Sequence, residues 1–148
     1  MSSEQDIIQT YVQRYPVLTE EAIPTHLLQA IPLPREEKTH EQVTLETSEF
    51  NSVCPYSGLP DFARLTICYT PKDKVVEQKS LKLYLTGYRN VGILQERACQ
   101  RICKDLGELL KPLSLSVTAE FAPRGGISTK VVSVYWDANW VEEDTRGS

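Results

Sequence analysis

The chain has 148 residues, of which 41% are hydrophobic and 24% charged, and its net charge is −4. This length is sufficient for one domain with its own hydrophobic core. The mild acidity argues against a large phosphate-binding surface of the kind that nucleic-acid-binding proteins use, although it leaves room for one local basic groove for a nucleotide.

Prolines interrupt the first part of the chain. Residues 3–13 can form a short helix, but prolines break any longer one. They stand at Pro16, Pro24, Pro32 and Pro34. We therefore interpret residues 1–42 as an N-terminal arm, extended over residues 14–40, that wraps around its own or a neighbouring subunit.

Residues 43–140 show the regular patterns of a folded domain. QVTLETSEF and FARLTICYT alternate or are rich in strand-forming residues, so we expect two strands. These strands would pair antiparallel through a loop that contains Cys54 and Asp61.

In the second half of the domain the spacing of the apolar residues changes twice, first to a helical and then to a strand pattern. KSLKLYLTGYRN and ILQERACQRICKDLGELL have apolar residues at helical spacing, the latter at Leu94, Ala98, Ile102, Leu106 and Leu110. LSLSVTAEF, with Leu113 to Phe121 alternately inward, and KVVSVYW predict two more strands around an APRGGIS turn. The order ββααββ predicts an α+β domain, an antiparallel sheet with two helices on one face. Residues 141–148 are expected to be a disordered tail.

The cysteines point to a reducing compartment. No secretory signal and no apolar run near the roughly 18 residues of a membrane span is visible, so we expect a soluble, cytoplasmic protein with reduced thiols at Cys54, Cys68, Cys99 and Cys103. Only Cys99 and Cys103 are close, and His26 and His40 lie far upstream. This spacing does not fit a zinc site, and we expect no metal.

The segment FNSVCPYSGLPDFARL places Cys54 in a Pro/Gly-punctuated loop, seven residues before Asp61. A thiol attacks as the thiolate, which a partly exposed loop with free backbone N–H groups can stabilise. A nearby aspartic acid can donate a proton to an atom that gains negative charge. The same pattern also fits a surface cysteine and an aspartate that caps a bend.

Other charged residues have a functional and a plain structural interpretation. Lys79 and Lys82 share a helix face, which can grip phosphates or simply be solvated. Glu77 can cap that helix or accept a ligand N–H. Glu96 can complement a helix dipole or, buried at a subunit junction, accept the paired N–H donors of a guanine-like base. Arg124, before a Gly-Gly pair, can bind an anion or belong to a hairpin turn.

Four motifs follow one another here: a CPxxGxPDFA loop, an ExKSLKLY stretch, an RNxG turn before a helix that carries a glutamate, and PRGGI. Together they resemble the NADPH-dependent 7-cyano-7-deazaguanine reductases, the nitrile reductases of queuosine biosynthesis, over roughly residues 43–128. The length resembles the short, single-module members. The resemblance implies the tunnelling fold, in which ββααββ units assemble through their sheets into a ring or barrel oligomer with active sites between subunits.

The resemblance also implies residue roles. Cys54 would add to the nitrile carbon of 7-cyano-7-deazaguanine as a thioimide, Asp61 would donate the proton, and NADPH would reduce the adduct to the primary amine. Substrate contacts would come from Val76, Glu77, Gln78, Gln95 and Glu96, with Glu96 as the base anchor. Cofactor contacts would come from Lys79, Ser80 and Lys82 and, on a weaker match, from Arg124, Gly125 and Gly126.

Two positions depart from the family pattern, and two other functions stay open. Gln78 stands where the family usually has a small residue or leucine. Gln95 stands where the family often has a histidine, and a glutamine cannot act as a cationic proton relay. A related amidinotransferase would use the same cysteine on a nitrile already in tRNA, but such proteins lack the NADPH signature, and an acidic chain suits tRNA poorly. A non-redox purine- or pterin-binding protein of this fold would have no need for Cys54 with Asp61.

Overall fold

The computed structural model describes residues 17–136. The predicted helix at 3–13 and the predicted tail at 141–148 lie outside the described residues. In chain order the elements are two 3₁₀ turns (Glu20–Ala22 and Thr25–Leu27), strands β1 (Ala30–Pro32), β2 (Val43–Val53), β3 (Pro60–Thr70) and β4 (Lys74–Val76), helices α1 (Gln78–Thr86) and α2 (Gln95–Leu110), and strands β5 (Ser114–Arg124) and β6 (Ile127–Val134). No helix in this part of the chain is long and apolar enough to cross a membrane.

The main sheet has the order β2-β3-β5-β6 with every neighbouring pair antiparallel. Helix α1 contacts β2, and helix α2 contacts β5 and β6, so the predicted α+β class and ββααββ order are confirmed. The α2 stripe is also confirmed, since the side chains of its four helical members are fully buried: Ala98, Ile102, Leu106 and Leu110. Leu94 caps that helix and is exposed. Leu113, predicted to face inward, is exposed because β5 begins one residue later.

Two short strands form a second sheet that the sequence patterns did not predict. Strand β1 pairs antiparallel with β4, with Ala30 opposite Val76. The pairing ties the arm to the start of α1, because the Gln29 N–H donates to Ser80 Oγ (3.0 Å) and the Gln29 carbonyl accepts from the Glu77 N–H (2.9 Å). The strands have three residues each and one contains a proline, which leaves no readable alternation.

Strand β2 contains an irregularity that changes which of its side chains face the core. Thr47 pairs with Leu65, but Phe50, and not Glu49, pairs with Ala63. One extra residue is therefore inserted in β2, as in a β-bulge. Because side chains alternate with a period of two, the insertion turns Phe50 inward, where it is 2% exposed.

A buried carboxylate joins the arm to both helices. Asp105 on α2 is 6% exposed and accepts hydrogen bonds from Tyr84 Oη (2.7 Å), Arg101 Nε (3.0 Å) and Thr25 Oγ1 (3.0 Å). Tyr84 Oη also lies 2.8 Å from Tyr88 Oη. A buried charge is tolerated only when it is paired and hydrogen-bonded, so these contacts hold the arm, α1 and α2 in one arrangement.

We expect Tyr84→Phe to lower the free energy of unfolding by about 1–3 kcal/mol, because it leaves the buried Asp105 carboxylate without one donor. Tyr56, whose side chain is 81% exposed, offers a matched control, and Tyr56→Phe should change stability by less than about 0.5 kcal/mol. Chemical denaturation of both variants measures the difference. Equal stabilities would show that the Tyr84 hydroxyl contributes nothing to this network.

Candidate active site

A tight loop places Cys54 directly after β2. The Cys54 N–H donates to the Leu59 carbonyl (2.9 Å), and the Gly58 N–H donates to the Cys54 carbonyl (2.8 Å). Gly58 has φ +71°, in the left-handed region where side chains other than glycine are strained. Asp61 was predicted to lie in this loop, but it lies in strand β3, because the pairing with β2 continues to Pro60. Its side chain is buried, at 4% exposed. The loop thus holds the thiol close to a buried acid.

A second backbone contact brings the start of α2 to this loop. The Val53 N–H donates to the Val91 carbonyl (3.0 Å), and the Ile93 N–H donates to the Val53 carbonyl (3.1 Å). Gly92 is required between them, since an added Cβ would collide with the side chain of Val17. Helix α2 then begins at Gln95, whose side chain hydrogen-bonds Asp61.

Arg124 touches both members of the predicted catalytic pair. Its Nη1 lies 2.9 Å from Asp61 Oδ1, an ion pair that is not aligned as a hydrogen bond, and its side chain hydrogen-bonds Cys54. A register shift between Phe121 and Arg124 ends the regular pairing of β5 with β6. The sequence assigns Arg124 to an anion or cofactor contact or to a hairpin turn, and not to the catalytic pair. The pairing of β5 with β3 that brings Arg124 here is not visible in a local pattern.

The surroundings of Cys54 favour its thiolate. Partial burial opposes the charge, but hydrogen bonds from the Ser57 side chain, from the Ser57 and Tyr56 backbone and from Arg124 outweigh it and lower the pKa of Cys54 to about 7. The thiolate is therefore more populated at neutral pH than in an ordinary cysteine. The sequence patterns did not single out Ser57 as a functional residue.

Asp61 is biased in the opposite direction. Burial raises its pKa, and the charge of Arg124 and the hydrogen bond from Gln95 offset this only in part. A carboxyl group whose neutral form is favoured by burial keeps its proton to a higher pH than an exposed one and is better suited to donate it. The site therefore combines a nucleophile that ionises easily with an acid that ionises reluctantly.

The residues at the start of α1 form a separate group. Glu77 caps the helix by accepting the N–H groups of Lys79 (2.9 Å) and Ser80 (2.7 Å), and these backbone hydrogen bonds lower the pKa of Glu77. The Ser80 hydroxyl donates to the Glu77 carbonyl (2.7 Å). Gln78 is exposed on the same turn, and Val76 is buried. Glu77 therefore acts as the N-terminal cap of α1. The Ser80 hydroxyl also accepts the hydrogen bond from Gln29 that holds the arm.

A groove of about 430 Å³ runs between β2 and α1. Three cations line it, namely Lys79, Lys82 and Arg89, together with the carboxylates of Glu46 and Glu49. The two lysines were expected on one helix face, whereas Arg89, in the turn after α1, was not foreseen. The cations are suited to bind phosphate groups.

The Cys54 group and the start of α1 lie toward opposite ends of strand β3 within one subunit. The Val76 N–H donates to Tyr69 Oη (3.2 Å), and Tyr69 stands at the other end of β3 from Asp61, roughly 26 Å away at about 3.3 Å per residue. The structure therefore brings Cys54, Asp61, Gln95 and Arg124 together but not the segment from Val76 to Lys82. Glu96, next to Gln95, is exposed.

Two of the other cysteines are buried in the core. Cys99 and Cys103 are buried between α2 and the sheet, where their thiols donate to the carbonyls of Val117 (3.3 Å) and Ser133 (3.5 Å). All four cysteines are free thiols. No group of three or more potential metal ligands occurs within residues 17–136.

Comparison with known proteins gives consistent matches. A family model described as QueF-like protein matches residues 60–140. NADPH-dependent 7-cyano-7-deazaguanine reductases of Caldicellulosiruptor bescii and Thermoanaerobacter pseudethanolicus are 55% and 50% identical over 123 residues, which cover 83% of this chain and 93% and 92% of those proteins. A crystal structure of the archaeosine synthase QueF-Like in the apo form has a TM-score of 0.60 at 26% identity, covering 66% of this chain and 95% of that chain.

The pH dependence of Cys54 alkylation tests the electrostatics of the site. We expect the alkylation rate of Cys54 by iodoacetamide, followed by peptide mass, to rise with a midpoint near pH 7. Arg124→Met should raise the midpoint, because it removes a donor to the thiolate. Arg64, an exposed arginine paired with Glu46 on the outer face of β3, provides the control Arg64→Met. Identical midpoints in all three proteins would exclude thiolate stabilisation by Arg124.

Proposed function

Because the chain belongs to the family of NADPH-dependent 7-cyano-7-deazaguanine reductases, we propose that it reduces the nitrile of 7-cyano-7-deazaguanine to the amine of 7-aminomethyl-7-deazaguanine, a step of queuosine biosynthesis. The observation that carries the proposal is the pairing of Cys54, with a pKa of about 7, and Asp61, whose pKa is raised. A nucleophile and a proton donor are what a nitrile needs, since its carbon accepts a nucleophile while its nitrogen accepts a proton.

In the first step we assign the attack to Cys54. Its thiolate forms a C–S bond with the nitrile carbon while one C≡N π bond breaks, and the proton of Asp61 moves to the nitrogen. The product is a neutral thioimide and an ionised Asp61. Arg124, 2.9 Å from that carboxyl group, is placed to stabilise the negative charge that appears there.

The reduction needs two hydrides, which NADPH supplies when bound. After the first, Cys54 leaves as the thiolate, and a pKa near 7 makes it as suitable a leaving group as a nucleophile. The imine stays in the site until the second reduction, for which Asp61, reprotonated from solvent, again delivers a proton. The overall change consumes four electrons and four hydrogens per nitrile, two as hydride and two as protons.

The cofactor fits the charges of the described residues. Lys79, Lys82 and Arg89 line one groove, and we assign the cofactor phosphates to the two lysines, with Ser80 at the capped helix start. Arg124 with the Gly125–Gly126 turn is a further cofactor contact in this proposal, because the turn glycines leave the surrounding space open. We assign the base of the substrate to Val76, Glu77, Gln78, Gln95 and Glu96.

The separation of the two groups in one chain supports an active site shared between subunits. Strands β2 and β6 are the edges of the main sheet, and edge strands are templates for pairing with another chain. We propose that the α1 end of one subunit completes the Cys54 end of its neighbour in a ring of the tunnelling-fold type. Four free thiols are consistent with a reducing cytoplasm.

The solved structure that matches is titled an archaeosine synthase, which keeps the amidinotransferase as the second candidate. The identity of 26% to that protein is well below the 55% to the reductase from Caldicellulosiruptor bescii.

The reductase assignment is tested by NADPH absorbance after addition of 7-cyano-7-deazaguanine. We expect about two NADPH oxidised per nitrile, since each hydride carries two electrons. Cys54→Ala should abolish the oxidation, whereas Cys68→Ala, which removes a half-buried thiol elsewhere on β3, should retain it. Formation of the thioimide without oxidation would favour the amidinotransferase, and neither reaction would favour a binding protein.

Subunit complementation tests the shared site. Cys54→Ala and Glu77→Ala subunits should each be inactive, but their mixed oligomer should recover about a quarter of the native rate, since one interface in four joins two intact halves on random mixing. Cys54→Ala with Asp61→Ala should recover nothing, because both changes damage the same half. Recovery by neither mixture would place the whole site in one chain.

A further inference from the structure

Ser52 is a buried hydroxyl without a hydrogen bond. Its side chain is fully buried, and no described residue donates to or accepts from its Oγ. Among the described residues the one other buried side-chain oxygen without a well-aligned hydrogen bond is Asp61 Oδ1. Ser52 and Asp61 are directly opposite each other in the β2–β3 register, and Arg124 Nη1 lies 2.9 Å from Asp61 Oδ1. The two side chains are therefore neighbours on one face of the sheet.

The fold requires a departure from regular pairing to put Ser52 there. Thr47 pairs with Leu65 and Phe50 with Ala63, which means that one extra residue precedes Phe50. Without that insertion, Asn51 would face inward and Ser52 would face outward. The bulge therefore places the Ser52 hydroxyl, and not the Asn51 amide, beside Asp61.

A purely structural role does not account for this serine. A buried hydroxyl without a partner destabilises the folded state, and its replacement by an apolar group of similar size is neutral or stabilising. Polar groups left unsatisfied in this way are expected where a ligand provides the partner. Cys54 follows two residues later. The ligand that provides a partner for the Ser52 hydroxyl is therefore the one that the Cys54 thiol attacks.

We propose that Ser52 is a further catalytic residue, whose hydroxyl donates a hydrogen bond to the nitrogen of the bound nitrile while Asp61 delivers the proton. The proposal rests on the proposed function. Directly opposite residues of an antiparallel pair have Cβ atoms about 4.5–5.5 Å apart, so one nitrogen atom can contact both side chains. Arg124 interacts with both Cys54 and Asp61, so a nitrile whose carbon bonds Cys54 Sγ has its nitrogen, one bond further on, near this pair.

The proton inventory of this step is simple. The nitrogen gains negative charge as the C–S bond forms, and the Asp61 proton neutralises it. Ser52 keeps its own proton throughout and acts as a fixed donor aimed at the charge that develops, in the manner of an oxyanion hole. The same donor can hold the imine nitrogen after Cys54 has left.

The test is Ser52→Ala, with Ser48→Ala as the matched control because Ser48 is an exposed serine of the same strand. Thioimide formation is followed by intact mass after rapid mixing with 7-cyano-7-deazaguanine, without NADPH, and Tm is measured for each protein. We expect Ser52→Ala to form the adduct on the order of 100-fold more slowly, with a Tm equal to or above that of the native protein. Ser48→Ala should form it at the native rate.

Two results would overturn the assignment. Adduct formation by Ser52→Ala at the native rate would show that the hydroxyl does not contact the nitrogen. A slower rate together with a lower Tm would show that Ser52 supports the local fold. A native protein that forms no adduct at all would instead refute the proposed function, and the role of Ser52 with it.

Discussion

The single inserted residue in strand β2 decides what the rest of that strand can contact. After it, Phe50 turns into the core and packs against Tyr88, with ring centroids 5.3 Å apart. Ser52 then faces Asp61 across the ladder. The edge of β2 at Val53 receives the Val91–Ile93 segment, and the chain enters the Cys54 loop from a defined direction. A regular strand would present the opposite set of side chains at each of these points.

Nucleophile and acid need opposite protonation states at one pH, and the structure separates them by solvation. Cys54 is half-buried and surrounded by donors, so its charged form is favoured. Asp61 is almost fully buried, and burial outweighs the nearby cation of Arg124. The Arg124 guanidinium therefore helps to lower the pKa of Cys54 but offsets the raised pKa of Asp61 only in part. The pKa values of neighbouring groups can be shifted in opposite directions in this way when their exposure differs.

The periodic parts of the fold could be predicted from the sequence, and the long-range parts could not. The four long strands and both helices have repeats that continue over several turns or alternations. Strand β1 contains Pro32 in three residues and has no such signal. The bulge before Phe50 and the meeting of Arg124 with Asp61 depend on pairing between distant strands. The Cys54 loop was recognisable because its glycine and prolines are local signals.

The contact between Thr25 and Asp105, two residues 80 positions apart in the chain, has a consequence for biosynthesis. During translation the arm leaves the ribosome before Asp105, its carboxylate partner, and before the Val91 backbone that pairs with Leu18. Strand β1 can pair with β4 before that, but Leu18 and Thr25 stay without these partners until Val91 and α2 have emerged. Contacts of such long sequence separation form late and slowly. Residues of the arm are thus synthesised before their partners in α2 but reach their native positions only after them.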